Sequence, residues 1–290
     1  MNGYNRRKIK NYLSLVKFAH TVFAMPFAIM GYFLAVNTTD HRFDWFTFAL
    51  VIMCMVFARN AAMGFNRYID RDIDARNSRT AIREIPKGII KPSSALAFVL
   101  LNVILFITAT WFINKLTFFL SPIALAVILG YSFTKRFTSF CHLVLGLGLS
   151  LAPLGAYLSV TGEFHWLPLV FSGIVLTWSA GFDIIYALQD EYFDKEEELK
   201  SIPVLVGKQR ALFISIGLHA LSGFLVLFAG ITANLGMWYW IGAVAFLIML
   251  VYQHLLVKPS DLSKVNLAFF TSNGIASMIY AVFFLLDFYY

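Results

Sequence analysis

The sequence has 290 residues, of which 59% are hydrophobic, 17% aromatic and only 13% charged. This composition excludes an ordinary soluble globular domain, and apolar stretches of about 17–25 residues predict a polytopic α-helical membrane protein and not a β-barrel. The formal net charge of +7 is typical of basic loops on one side of a membrane, so we expect membrane lipids and no nucleic acid among its partners.

In chain order, the apolar stretches predict nine membrane-spanning helices. They cover residues 18–36, 44–65, 93–113, 118–131, 139–160, 167–189, 211–232, 237–257 and 267–288. The fourth is the shortest. We therefore expect an all-α fold, with about nine transmembrane helices around a central cavity and a single domain over residues 1–290.

The orientation follows from the positions of the basic residues. If the N-terminus is cytoplasmic, only Arg42 and Lys115 of the 23 Lys and Arg residues fall in outer loops. Lys and Arg concentrate on the cytoplasmic side of membrane proteins. The charge distribution therefore predicts that the N-terminus lies inside and that the site opens to the cytoplasmic face. We expect the membrane to be a bacterial-type cytoplasmic (inner) membrane.

A polar stretch, residues 66–74, follows the second predicted span. Asn66, Asp70 and Asp74 are spaced i, i+4 and i+8, so on a continuous helix their side chains share one face, about 6 Å apart along the axis. Oxygen-bearing side chains in this arrangement suit a hard cation such as Mg²⁺, which takes further ligands from water and substrate phosphate.

A second acidic stretch follows the sixth predicted span. Asp183, Asp190 and Asp194 are spaced i, i+7 and i+11, which again predicts one helical face. Asp190 and Asp194 repeat Asp70 and Asp74 at a constant offset, and basic residues and a proline follow both pairs. This weak internal repeat predicts two halves, roughly 1–136 and 137–290, that enclose one site.

Basic side chains surround both acidic stretches. They are Arg71, Arg76, Arg79, Arg83, Lys135, Arg136 and Lys200. Two facing rows of carboxylates repel unless cations lie between them, and carboxylate-bound metal together with Arg and Lys is suited to hold a diphosphate. The 30 phenylalanines could line an adjoining apolar cavity, so the pattern favours a substrate with a diphosphate head and a long apolar tail.

These residues resemble the motifs of the UbiA superfamily of intramembrane aromatic prenyltransferases, most of all the 4-hydroxybenzoate polyprenyltransferase type. The motif Asn-x-x-x-Asp-x-x-x-Asp stands at residues 66–74, and Asp-x-x-Tyr-Ala-x-x-Asp-x-x-x-Asp stands at residues 183–194. A third motif, Tyr-x-x-x-Lys, stands as Tyr131 and Lys135. Arg67 occupies a place where the family often has Asp, so it receives no metal role.

The resemblance implies a Mg²⁺-dependent transfer of a polyprenyl group from polyprenyl diphosphate to an aromatic acid in quinone biosynthesis. Ionisation of the allylic C–O bond would give a carbocation that alkylates the acceptor ring. The implied metal ligands are Asn66, Asp70, Asp74, Asp190 and Asp194. The implied catalytic residues are Asp70, Asp190, Asp183 and Tyr131. The implied substrate-binding residues are Arg79, Arg83, Lys135, Lys200 and Tyr186, with Arg136 for the carboxylate of the acceptor.

Several alternatives stay open at this stage. The acceptor could be a dihydroxynaphthoate of menaquinone synthesis, or a haem or chlorophyll precursor. A cation-coupled transporter would also suit paired acidic helices, but it should carry charges near mid-membrane, where only Arg59 and Asp183 are expected. We interpret Arg59 as a structural partner of Asp70, and Lys17 and His20 as interfacial residues. The sequence does not identify the base that removes the ring proton.

Overall fold

The structure is a computed structural model that describes residues 11–16 and 24–290. The regular elements that position the site are helices, and Lys258 and Asp261 form a single antiparallel bridge. Lys17 and His20, for which the sequence predicted interfacial contacts, lie outside the described residues.

The helices follow one another with short connections. They are α1 (Met25–Thr38), α2 (Trp45–Ile69), α3 (Arg71–Arg76), α4 (Pro92–Ile113), α5 (Lys115–Thr134), α6 (Cys141–Thr161), α7 (Trp166–Ala187), α8 (Glu191–Glu196), α9 (Ile202–Thr232), α10 (Met237–Leu256) and α11 (Asn273–Leu286), the last preceded by a π-helical turn over Leu267–Ser272.

Eight helical segments within the described residues are long and apolar enough to cross a membrane. The predicted all-α membrane architecture is therefore confirmed. Helix α1, with 14 residues, is shorter than a full span, and the predicted first span at 18–36 begins among residues that the structure does not describe. The predicted number of nine spans and the orientation of the N-terminus stay predictions.

Two predicted spans have the wrong length. The fourth was expected at 118–131, but α5 has 20 residues because the Asn114 side chain accepts a hydrogen bond from the Thr117 N–H and starts the helix earlier. Helix α9 begins nine residues before the predicted span at 211–232. Its early part bends at Gly207, whose φ of +78° is accessible to glycine at little cost.

Both acidic stretches lie where a long helix meets a short one. Helix α2 ends at Ile69, Asp70 has φ −90° and ψ 5°, and α3 follows at once. The predicted continuous helical face is thus bent at Asp70. The backbone bond from the Asp74 N–H to the Asp70 carbonyl, at 2.7 Å, nevertheless keeps the helical spacing across the bend. A similar bend joins α7, which ends at Ala187, to α8, which begins at Glu191, and the Asp194 N–H donates to the Asp190 carbonyl at 2.7 Å.

Helix α7 is the most buried of the long apolar helices and lies between α6 and α9. Helix α1 packs against the other side of α6, where a Cβ on Gly31 would lie only 2.1 Å from the carbonyl oxygen of Pro153. Glycine is therefore required for this close approach. The packing holds the two acidic junctions at the same end of the helix bundle.

Candidate active site

A cavity of about 940 Å³, here called the chamber, opens between α2, α4, α5, α6 and α7. One face of α6 lines it from His142 to Ser159, a distance of about 26 Å at the helical rise per residue. The two acidic junctions form its charged end. The opposite end, which includes Ser159 and Phe164, is predominantly apolar. The chamber therefore extends over most of the thickness of a bilayer hydrocarbon core.

Four hydroxyl side chains line the apolar end of the chamber without offering free donors to it. Each donates to a backbone carbonyl three or four residues earlier in the chain, at distances of 2.7–3.1 Å. They are Thr110, Thr117, Ser121 and Ser159. Because their donors are satisfied locally, this end behaves as an apolar surface.

Asp70 carries two basic partners. Its Oδ1 lies 3.0 Å from Arg136 Nη2, and its Oδ2 lies 3.6 Å from Lys135 Nζ. Asn66 donates from Nδ2 to Asp70 Oδ2 at 3.0 Å, which leaves the Asn66 carbonyl oxygen as an acceptor. The carboxylate is buried, with 4% of the side chain exposed, so its charge depends on these neighbours.

Asp74 is held on one side only. Arg83 Nη1 lies 2.5 Å from Asp74 Oδ1, whereas Asp74 Oδ2 is buried without a hydrogen-bond partner. A buried carboxylate oxygen without a donor is costly unless a cation or another donor reaches it. Asp74 Oδ2 is therefore the atom of the site that most clearly fits a cation ligand.

Asp190 accepts hydrogen bonds from two residues, Asn77 and Arg79, that follow α3. Arg79 forms a two-bond salt bridge to it, with Nε 3.0 Å from Oδ1, and Asn77 Nδ2 lies 3.3 Å from the same oxygen. Arg79 also donates from Nη1 to the Tyr186 hydroxyl at 2.8 Å. The two acidic stretches are thus joined through Arg79.

The short helices α3 and α8 complete the charged end. Arg76 donates to both carboxylate oxygens of Glu197, at 2.7 and 2.6 Å, and these bonds hold the pKa of Glu197 below its usual value. Asp194 is buried, and burial raises its pKa to about 6. A cation bound beside Asp194 would favour its ionised form.

The charged end is not a preformed metal cluster. Among the described residues, no group of three His, Cys, Asp or Glu side chains is close enough to hold a metal ion. Three of the acids instead carry arginine or lysine partners, as given above. Metal binding at Asp70 and Asp190 would therefore require their basic partners to move to another anion, whereas Asp74 Oδ2 is already unpartnered.

A second polar group lies deeper, where α6 and α7 face each other. Asp183 Oδ2 is 2.7 Å from His142 Nδ1, and both residues line the chamber. Tyr131 lines it as well, within electrostatic range of Asp183, Asp70 and Arg59. Tyr131 is therefore near both the charged end and the deeper pair.

Arg59, which is half-buried, and Arg67, which is buried, line the chamber. The Nε atom of each is buried without a hydrogen-bond partner. The sequence interpretation of Arg59 as the partner of Asp70 is not supported, because Lys135 and Arg136 occupy that place. Arg59 lies seven residues before Asn66, about 10 Å deeper along α2, and its guanidinium is available to an anion inside the chamber.

The structure brings most, but not all, of the predicted site residues together. Those that line the chamber are Asn66, Asp70, Asp74, Arg79, Arg83, Tyr131, Lys135, Asp183, Tyr186, Asp190 and Asp194. Arg136 is instead bound to Asp70 and to the Ile69 carbonyl. Lys200 is exposed and donates to the Phe137 carbonyl at 3.4 Å. Neither of these two belongs to the chamber wall, and their predicted contacts with substrate stay predictions.

Sequence reasoning did not identify Arg59 or His142 as site residues. A single charge inside an apolar span is a signal for Arg59, but spacing alone assigned it to the wrong partner. His142 gave no signal, because its partner Asp183 lies 41 residues away in the chain.

Comparison with known proteins agrees with this geometry. Residues 24–275 match the UbiA prenyltransferase family. A 4-hydroxybenzoate octaprenyltransferase of Aliivibrio fischeri (strain MJ11) is 29% identical over 240 residues, which are 82% of each chain.

Solved structures have the same fold. The apo structure of a UbiA homologue from Aeropyrum pernix K1 superposes with a TM-score of 0.84 at 27% identity, covering 92% of this chain and 98% of that one. A UbiA homologue from Archaeoglobus fulgidus, bound to GPP and Mg²⁺, superposes with a TM-score of 0.75 at 19% identity, covering 97% and 100%. The second likeness concerns the fold alone.

Proposed function

The chain belongs to the UbiA prenyltransferase family, and from that premise we propose that it transfers a polyprenyl group from a polyprenyl diphosphate to 4-hydroxybenzoate within the membrane. The observation that carries the proposal is the chamber, which joins a charged end of carboxylates and basic side chains to a long apolar interior. A substrate with a diphosphate head and an isoprenoid tail has the same division of polarity.

The residues of the charged end fit Mg²⁺ as a cofactor. Asp74 Oδ2 is a buried oxygen without a partner, and Asn66, Asp70, Asp190 and Asp194 supply further oxygen donors, the ligands that Mg²⁺ prefers. The A. fulgidus homologue was solved with this ion and GPP. When bound, Mg²⁺ supplies Lewis-acid stabilisation of the negative charge on the departing diphosphate.

The basic residues that hold the carboxylates are also the ones that can hold the diphosphate. Arg79, Arg83 and Lys135 line the chamber and lie next to Asp190, Asp74 and Asp70 respectively. When cations reach the carboxylates, these side chains can turn to the phosphate oxygens, where charge-assisted hydrogen bonds are strong. They then stabilise the leaving group as the allylic C–O bond breaks.

Arg59 is our candidate for the carboxylate of the acceptor. Arg59 is half-buried and its Nε is buried without a partner, which is unfavourable without an anion, and a benzoate carboxylate is a planar partner of suitable shape. An acceptor bound there would direct its ring toward Tyr131 and the charged end. The sequence assigned this role to Arg136, which is held outside the chamber wall by Asp70.

The apolar chamber protects the reactive intermediate. Heterolysis of the C–O bond leaves an allylic carbocation, which water would capture. Apolar walls keep water away from it, and the electron-rich ring of the acceptor is then the nearest nucleophile. Attack by the ring carbon forms the new C–C bond, and loss of the ring proton restores aromaticity.

The proposal is tested by prenyl transfer with purified protein in lipid. Polyprenyl diphosphate and Mg²⁺ are supplied with either 4-hydroxybenzoate or a dihydroxynaphthoate. Product from the benzoate is expected. Product from the naphthoate alone would reassign the acceptor, and the absence of product from both, in folded protein that binds the diphosphate, would overturn the proposed reaction.

We further propose that this integral membrane protein resides in the cytoplasmic (inner) membrane and that the charged end opens to the cytoplasm. The distribution of Lys and Arg supports this proposal. By the positive-inside rule, both acidic junctions fall on the predicted inner side of the membrane. Water-soluble acceptor and released diphosphate would exchange through this opening.

A further inference from the structure

The deeper polar pair of the chamber, His142 and Asp183, has no role in the steps above. His142 is 2% exposed and lies in the first turn of α6, and its Nδ1 is 2.7 Å from Asp183 Oδ2 on α7. A buried imidazole–carboxylate pair on the wall of a reaction chamber is a frequent arrangement for moving protons.

The neighbouring backbone defines where the proton of this pair lies. The Ile202 N–H donates to His142 Nε2 at 3.4 Å. Nε2 therefore carries the lone pair, and Nδ1 carries the hydrogen and donates it to Asp183. The contact between Nδ1 and Oδ2, at 2.7 Å, fixes the direction of the Asp183 carboxylate.

Both side chains line the chamber, and the carboxylate is the more exposed of the two. The Asp183 side chain is 16% exposed, whereas that of His142 is 3% exposed. His142 engages only Oδ2, which leaves Asp183 Oδ1 for a group inside the chamber. Asp70, Asp74 and Asp190, by contrast, are each held by Arg or Lys.

We propose that Asp183 accepts the ring proton of the alkylated acceptor and that His142 is the positioning residue that aims it. The inference rests on the proposed function. The C–O bond breaks first, its electron pair leaves with the diphosphate, and the allylic carbon then bonds to the ring. The electrons of the ring C–H bond then return to the ring, and the proton passes to Asp183 Oδ1. Water takes that proton when the product leaves.

The location of Asp183 agrees with this assignment. It lies two helical turns before Asp190 along the α7–α8 segment, about 10 Å deeper than the charged end. Tyr131 lies within electrostatic range of Asp183 and of Asp70. A ring held between Arg59 and the charged end is therefore close to both Tyr131 and Asp183.

The test compares His142→Ala and His142→Asn with the wild type. The alanine variant should lower kcat by about 10-fold or more while the KM values of both substrates change by less than about twofold. The asparagine variant can place an N–H near the position of Nδ1–H, so most of the kcat should return.

An isotope measurement separates positioning from a structural defect. The acceptor is deuterated at the ring carbon that is alkylated. Wild-type turnover should show no primary isotope effect, because aromatisation is faster than the preceding ionisation. His142→Ala should show a primary effect, because misaligned Asp183 makes proton removal slow.

His219→Ala is a matched control. His219 is 3% exposed and also hydrogen-bonded, to His254 at 2.7 Å and to the Trp178 carbonyl at 3.1 Å, but it does not line the chamber. This variant should lose thermal stability without gaining an isotope effect. A His142→Ala enzyme with wild-type kcat, or with reduced kcat and no isotope effect, would overturn the inference. An inactive wild type would instead count against the proposed function.

Discussion

At the level of single residues, the two carboxylate oxygens of Asp74 have different surroundings. Arg83 holds Oδ1 and leaves Oδ2 buried and unpartnered. A buried carboxylate oxygen without a partner costs free energy until a cation or a hydrogen-bond donor reaches it. The salt bridge therefore orients the carboxylate in advance and keeps one ligand atom available.

Asp74→Asn should reduce prenyl transfer by at least about 100-fold, because a neutral amide binds Mg²⁺ poorly and stabilises less charge on the leaving group. Initial rates across a Mg²⁺ titration measure the effect, and a partial recovery at high Mg²⁺ is expected. Asp72→Asn is the control, because the Asp72 side chain is 74% exposed and outside the chamber wall. Equal activity in both variants would remove Asp74 from the metal site.

Arg59→Leu should raise the KM for 4-hydroxybenzoate by about 10-fold or more, since loss of a buried charge-assisted contact costs more than about 1.4 kcal/mol. The KM for polyprenyl diphosphate should change little. With a phenol that has no carboxylate as the acceptor, the rate of the variant should equal that of the wild type. If both KM values rise together, Arg59 does not select the acceptor.

The sequence motifs predicted which residues form the charged end but not which side chains pair with one another. The motifs identified the carboxylates and arginines of the charged end, because helical spacing determines which side chains share a face. They could not identify that Arg136 holds Asp70 or that His142 holds Asp183. These pairs join different helices, and their contacts depend on interhelical packing that spacing within one helix does not specify.

At the scale of secondary structure, α6 determines the shape of the chamber. Gly148 and Gly155 lie on its chamber face, seven residues apart. A Cβ on Gly155 would meet no atom within 4 Å. The missing side chain therefore widens the chamber toward its apolar end, where a long tail has to lie.

Gly155→Leu should shorten the tails that the enzyme accepts. The kcat/KM for solanesyl diphosphate should fall by about 10-fold or more, whereas the value for geranyl diphosphate should stay within about twofold, because a short tail does not reach the added side chain. Gly217→Leu is the control, since Gly217 is exposed on α9 and also has open space at its Cβ. An equal loss for both tail lengths would indicate a general packing defect.

Hydropathy predicted the existence of the long helices well, and their ends less well. The bends at Asp70 and Gly207 have local causes that a hydropathy window does not register. Asp70 ends α2 between polar neighbours, and Gly207 adopts a positive φ in a stretch that also contains Lys208 and Arg210. The polar residues near Gly207 explain why the predicted seventh span began too late.

At the scale of the whole molecule, both acidic junctions lie at one end of the bundle and the connection between α6 and α7 lies at the other. Lys195 and Glu163 are exposed residues at these two ends. The predicted topology places Lys195 in the cytoplasm and Glu163 outside. The accessibility of these two positions from either side of the membrane therefore tests the predicted topology.

An impermeant maleimide applied to intact cells should label Glu163→Cys and spare Lys195→Cys. Permeabilised cells should allow labelling of both. The native thiols Cys54 and Cys141 are not exposed and are measured in the parent protein as background. Labelling of Lys195→Cys alone in intact cells would reverse the orientation and place the charged end outside.

The length of the chamber has an electrical consequence. A cavity that extends almost across a membrane could conduct protons and dissipate the voltage on which the cell depends. Here the hydroxyl groups at the far end donate to nearby backbone carbonyls, so they offer few hydrogen bonds to a continuous chain of water molecules. Apolar constrictions also tend to dewet. The interior that accommodates an isoprenoid tail thus also serves as an insulator, and most of the membrane voltage should fall across this dry segment.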